Sequence, residues 1–201
     1  MKLYIWPGAC SLAPHIVSRE AGIDLDIAPL DRTERKAADG TVLSSVNPKN
    51  QVPALVLDDG QVLTEVGVIS QYLADKKPGS GLLPAAGTME RFRVMEWLSF
   101  VSAELHKTFA PLFRPNTPED YKTISRGNLA QRFDWLEKVL DGKPYLTGDK
   151  FTVADAYLFV VLRWSPRVGV DLSKWPNLTA FIARVTARPK VQETLKAEGL
   201  Q

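Results

Sequence analysis

The chain has 201 residues, enough for one large domain or two small ones, each with a real core. Its 45% hydrophobic and 24% charged residues are those of an ordinary globular protein, and its net charge of +2 comes from 25 basic and 23 acidic residues. The bases are scattered, which argues against a nucleic-acid partner. No apolar run nears the ~18 residues of a membrane span. The opening Met1–Gly8 is too short in apolar residues for the roughly 7–15-residue core of a signal peptide, so a cytoplasmic protein without membrane attachment is expected. Cys10 is the single cysteine and His15 and His106 are the only histidines, so no intrachain disulfide, metal site or metal cofactor is expected, while one thiol can still act as a nucleophile or form a mixed disulfide.

The first ~80 residues alternate strand and helix signals. Lys2 to Trp6 reads as a short apolar strand, Pro7-Gly8-Ala9 as a turn, and Ser11 to Ala21 as a helix stopped by Gly22. Leu25 to Leu30 reads as a second strand and Pro53 to Leu57 as a third. Asp59-Gly60 signals a hairpin, Gln61 to Leu63 a fourth strand, and Glu65 to Ala74 a helix. This order predicts a small sheet with helices packed on it. Lys76 to Thr88, rich in Pro, Gly and Ser, reads as a linker.

Beyond the linker every signal is helical. Met89 to Leu112 carries apolar residues at Met95, Leu98, Val101, Leu105, Phe109 and Leu112, in steps of three and four. Further helices are predicted over Glu119 to Leu140, Thr152 to Trp164 and Pro176 to Arg188. Thr152 and Asp155 have the spacing of a capping box, with Asp in place of the usual Glu, and are read as a folding signal rather than as catalytic. His15 and the tryptophans Trp97, Trp135, Trp164 and Trp175 are read as packing.

Cys10 lies between the first strand and the first helix, with Ser11 as the candidate N-cap and Pro14 in the first turn. A thiol at a helix N-terminus faces unpaired amides and the positive end of the helix dipole, which favours the thiolate. Free cysteines are also among the most buried residues, so position alone divides evenly between a reactive and a structural thiol.

The segment Tyr4-Ile5-Trp6-Pro7-Gly8-Ala9-Cys10-Ser11-Leu12-Ala13-Pro14-His15 resembles the opening of bacterial beta-class glutathione transferases. Asn47 to Leu55 resembles the family's segment carrying a cis-proline, Leu63-Thr64-Glu65 its glutamate-binding turn, and Glu104-Leu105-His106-Lys107 its active-site stretch in the first helix of the helical domain. The capping box also stands where the family has one. The resemblance implies a thioredoxin-like N-terminal domain over residues 1–80 that binds glutathione. An all-helical domain over residues 87–201 would carry the electrophile pocket. The single change of sequence grammar at the linker reaches the same division independently.

The resemblance also implies site residues. Cys10 and His106 would be catalytic. Val52, before a cis Pro53, would pair its amide and carbonyl with the extended backbone of glutathione. Glu65 would hold the γ-glutamyl ammonium, and the helix amides from Val66 onward its carboxylate. Val66 stands where Ser or Thr is common, and the missing hydroxyl forfeits a bond to a charged group worth about 1.5–3 kcal/mol. Arg35, where Lys is common, would meet the glycyl carboxylate; a solvated surface run is an equal reading of this charged stretch. Ser99, which replaces a usual Asn, falls with Ala103 and His106 on one helix face. That face, together with Glu104 and Leu105, would contribute further glutathione contacts, Glu104 across a dimer interface.

The implied activity is conjugation of glutathione, a co-substrate rather than a cofactor, to small hydrophobic electrophiles. Thiol–disulfide exchange through Cys10 would accompany it, and the protein would be a homodimer. Two alternatives share the fold: glutathione-dependent reductive dehalogenation or disulfide reduction, and a non-catalytic ligand-binding protein.

Overall fold

A computed structural model describes all 201 residues. The chain folds into two compact units, one of Met1–Leu83 with Arg188–Gln201, the other of Pro84–Ala187. The boundary falls inside the expected linker.

The first unit is built on strands β1 (Lys2–Ile5), β2 (Asp26–Pro29), β3 (Ala54–Val56) and β4 (Val62–Thr64) in the order β2-β1-β3-β4. β1 runs parallel to β2 and antiparallel to β3, and β3 is antiparallel to β4. The parallel pair requires a crossover, which helix α1 (Leu12–Glu20) supplies. Helix α2 (Leu43–Val46) is a short element for which no expectation was drawn, and the longer α3 (Val66–Lys76) completes the expected ones. α3 packs on α1, and both bury apolar faces: Leu12, Ile16 and Val17 from α1, Ile69 and Leu73 from α3. The β3–β4 turn is closed at Gly60, whose φ of +84° is the left-handed region that glycine enters without cost.

The second unit is helical: α4 (Met89–Phe100), a π turn (Val101–His106), α5 (Lys107–Phe113), α6 (Glu119–Val139), α7 (Val153–Leu162) and α8 (Pro176–Thr186). All ten residues of α7 are buried, which explains its almost unbroken apolar sequence: a helix covered on every side needs no polar face. The expected stripe holds for Leu98, Val101, Leu105 and Phe109, but Met95 is exposed and Leu112 half-buried. Nor is Trp135 a core residue: it is 46% exposed and stacks on Trp97.

Two boundaries differ from expectation. The segment 87–201 is not one body, because α9 (Pro189–Ala197) joins the first unit. Arg188 leaves helical geometry (ψ 129°), so α8 and α9 are separate helices, and α9 buries Val191 and Leu195 against α1. Arg188 adds a two-pronged ion pair to Glu20 at 2.8 and 2.7 Å. The second difference is the π turn, which inserts itself into the predicted Met89–Leu112 helix.

The capping box forms. Asp155 Oδ2 accepts from the Thr152 amide and hydroxyl, both at 2.8 Å, and its Oδ1 accepts from the Leu146 amide at 2.8 Å. Burial pushes the Asp155 carboxyl up to about 6, and these donors oppose a larger rise. Substituting Asp155→Ala strands three buried donors, and the expected loss is about 3 kcal/mol, read as a lower urea midpoint at unchanged slope.

Candidate active site

Cys10 sits in the turn between β1 and α1, which the Ala9 N–H to Trp6 carbonyl bond of 2.9 Å closes. Ser11 does not cap the helix. Its hydroxyl instead accepts from the Trp6 amide at 3.1 Å and donates to the Trp6 carbonyl at 3.2 Å, fastening the turn to the end of β1. The Cys10 thiol is 8% exposed and donates to the Val52 carbonyl at 3.3 Å.

The thiolate expected from the helix dipole is not what this environment favours. Burial pushes the Cys10 thiol up to about 12 from an ordinary 9.0; the amides of Cys10 and Ser11 pull it down, and the Glu65 carboxylate adds to the rise. The magnitudes decide the matter. A helix terminus contributes at most ~2 kcal/mol, whereas the net rise corresponds to about 4 kcal/mol against the anion. Desolvation wins, and Cys10 is a neutral hydrogen-bond donor.

The Val52–Pro53 peptide is cis. The Val52 N–H makes no bond within the protein, while its carbonyl keeps one lone pair beside the thiol. Glu65 directly precedes α3 with φ 73° and ψ 126°, a strained conformation for a side-chain-bearing residue of the kind that concentrates at functional sites. The first helix bond, from the Ile69 amide to the Glu65 carbonyl at 2.9 Å, leaves the amides of Val66, Gly67 and Val68 ahead of it. Val66 itself is buried, so only its main chain can serve a ligand. Lys49 pairs with the Glu65 carboxylate and donates to Thr64 Oγ1 at 2.8 Å. Arg35, also at positive φ, stacks over Trp6 at 5.5 Å and donates to the Asn50 carbonyl at 3.1 Å. The first unit thus gathers Cys10, Val52, Pro53 and Glu65 and holds Arg35 on the loop of Asn50.

The turn is braced from the residue that follows α9. Glu198, 7% exposed, accepts from the Gly8 amide at 2.9 Å through Oε2 and pairs with His15 Nδ1 at 2.8 Å through Oε1. Arg19 donates to His15 Nε2 at 3.2 Å, so the proton lies on Nδ1 and His15 donates to Glu198. His15 is therefore a buried polar link rather than simple packing.

In the second unit, Ser99 and Ala103 are exposed and His106 half-buried. The Ser99 hydroxyl turns back to the Met95 carbonyl at 2.9 Å. Leu105 is wholly buried in the core, so its side chain offers a ligand no surface. Glu104 Oε2 is held by Arg132 at 2.8 and 3.2 Å. His106 Nδ1 lies 2.6 Å from the Tyr157 hydroxyl.

Four partners escaped the sequence reading: Lys49, Arg132, Tyr157 and Glu198. Lys49 had a local signal, a lone cation in the loop before the cis-proline. Glu198 lies 190 residues from Gly8, and nothing local marks it. No group of His, Cys, Asp and Glu is arranged to hold a metal ion, and no helix is long and apolar enough to cross a membrane.

Comparison with known proteins places this geometry in a family. The family models for the glutathione S-transferase N-terminal domain and C-terminal domain match residues 8–76 and 100–189. Glutathione S-transferase GstA of Escherichia coli O157:H7 is 46% identical over 201 residues, covering all of both chains. The solved structure of a bacterial beta-class glutathione S-transferase from Sphingomonas chungbukensis aligns with a TM-score of 0.96 at 46% identity over the whole of both chains. A sphingomonad glutathione S-transferase complexed with glutathione aligns with a TM-score of 0.96 at 45% identity, again over both whole chains. With its sheet, its cis-proline loop and its helical second unit, the chain belongs to the glutathione S-transferase family, in its bacterial beta-class form.

Proposed function

We propose that this protein conjugates glutathione to small hydrophobic electrophiles. The observation that carries the reading is the Cys10 thiol, a neutral donor held beside an unpaired Val52 amide and the open first turn of α3. Glutathione is the co-substrate. Its cysteinyl backbone pairs with Val52, its γ-glutamyl carboxylate takes the amides of Val66 and Gly67, and its ammonium takes Glu65 in competition with Lys49. Arg35 meets the glycyl carboxylate.

The Cys10 S–H, which has a single proton to share, turns from the Val52 carbonyl to the glutathione sulfur and lowers the cost of its ionisation, the glutathione thiol proton passing to solvent. The glutathione thiolate then attacks the electrophilic carbon. A carbon–sulfur bond forms, the leaving group departs with its electron pair, and His106 assists as a hydrogen-bonding or proton-carrying group. Reductive dehalogenation or mixed-disulfide chemistry through Cys10 would need its thiolate, which burial opposes.

The protein acts as a homodimer. Met89, Phe92 and Met95 are 64%, 54% and 39% exposed on one face of α4, the apolar surface that a second copy covers.

Conjugation of a chloronitroaromatic by wild type and Cys10→Ala at saturating glutathione tests the reaction. Wild type is expected to be active and Cys10→Ala to retain turnover with kcat/KM lower by about 10- to 150-fold, the worth of one hydrogen bond to an anion. Inactivity of both proteins overturns the transferase reading, and complete loss in Cys10→Ala alone makes Cys10 the nucleophile. Sedimentation at micromolar concentration is expected to show a dimer that Phe92→Asp splits into monomers; a wild-type monomer contradicts the second-copy reading.

A further inference from the structure

The first unit carries a concave feature that shares no residue with the proposed glutathione site: a cleft of about 540 Å³ where the ends of α1 and α3 meet the start of α9. Its volume lies in the range of small-molecule sites. Arg19 and Glu20 line it from α1, Lys76 and Lys77 from the end of α3, and Lys190 from α9. Four cations thus share the cleft with one carboxylate, and Arg188 already holds that carboxylate at 2.8 and 2.7 Å.

Helix electrostatics account for part of this charge. Arg19 and Lys76 stand in the last turns of α1 and α3, where a cation answers the negative end of the helix dipole. The rest needs another cause. Lys77 lies past α3, and its ammonium makes no bond within the protein. Lys190 is the second residue of α9, where the dipole opposes a cation, and no acid stands in that first turn. Its partner Glu193, at 2.9 Å, forms an exposed pair of the kind that contributes little. Arg19 uses only Nε, which donates to His15 Nε2 at 3.2 Å; its two Nη groups make no bond within the protein.

We infer that this cleft binds a small polyanion bearing phosphate groups. The guanidinium fork supplies parallel N–H donors to two oxygens of one phosphate, and the lysines neutralise the remaining charge. A chain of hydrogen bonds connects the cleft to the turn that carries Cys10. Arg19 donates to His15, His15 donates to Glu198, and Glu198 accepts from the Gly8 amide. An anion taken by the Nη groups of Arg19 holds its Nε–H against His15 and steadies that chain from behind. The ligand is therefore a stabilising one, distinct from glutathione.

Sodium pyrophosphate is the probe, titrated calorimetrically into the full chain, with sodium chloride at equal ionic strength as the control. One saturable site per chain is expected, with a dissociation constant below about 1 mM. Lys77→Gln combined with Lys190→Gln is expected to weaken binding by at least about tenfold. Conjugation of the chloronitroaromatic by this double variant is expected to stay within about twofold of wild type, which shows that it folds. In nitrogen-15 spectra pyrophosphate is expected to shift the His15 Nε2 signal of wild type and not that of the double variant. A response no larger than that to sodium chloride, or equal binding by the double variant, overturns the site. Binding that leaves the His15 signal unmoved overturns the link through Arg19. Equally tight binding of citrate overturns the choice of phosphate. Co-sedimentation with phosphatidic acid vesicles, when pyrophosphate is inert, overturns a free ligand in favour of a lipid headgroup.

Discussion

The hydrogen bond from the Cys10 thiol to the Val52 carbonyl joins the two pieces of backbone on which the proposed chemistry depends: the turn after β1 and the cis-proline loop before β3. Their closeness removes the thiol from water, and that desolvation outweighs the helix terminus behind it. A cysteine placed where a reactive thiolate is expected becomes a protonated donor instead. In the proposed reaction the negative charge is then left to the glutathione sulfur, which takes the same donor from the Val52 carbonyl. This one buried contact favours conjugation over thiol exchange in that reaction.

The turn that carries Cys10 is held from several directions. Ser11 ties it to Trp6 just past the strand behind, and Glu198, just past the end of α9, grips the Gly8 amide while accepting from His15 of α1. The last segment of the chain therefore belongs physically to the first unit. Burial of Val191 and Leu195 supplies apolar surface, and Glu198 supplies a charge-assisted hydrogen bond at the turn, the stronger kind. Preorganisation of this sort keeps a donor in place without reorganisation during reaction.

Features decided by neighbouring residues were legible in the sequence. The four strands, α1, α3 and the Thr152–Asp155 box depend on apolar periodicity, Gly and Pro punctuation and three-residue spacing, all local properties. Features decided by distant residues were not. The acidity of Cys10 depends on its burial against Val52, and the separate identity of α9 depends on a surface formed by α1. The π turn was hidden because a stripe of three- and four-residue steps absorbs one extra residue without losing its apolar face. Glu104, Leu105 and His106 were found through resemblance, but their different fates, ion-paired, buried and ring-stacked, follow from Arg132, the helical core and Tyr157.

The central claim is that Cys10 stays protonated while glutathione carries the charge. Labelling the lone cysteine with carbon-13 at Cβ and following its chemical shift with pH, in the free protein and with a saturating S-alkyl glutathione, tests it directly. The account predicts no thiol titration from about pH 6 to about pH 10 in either state. A titration step below about pH 8 would contradict it and return Cys10 to the role of nucleophile.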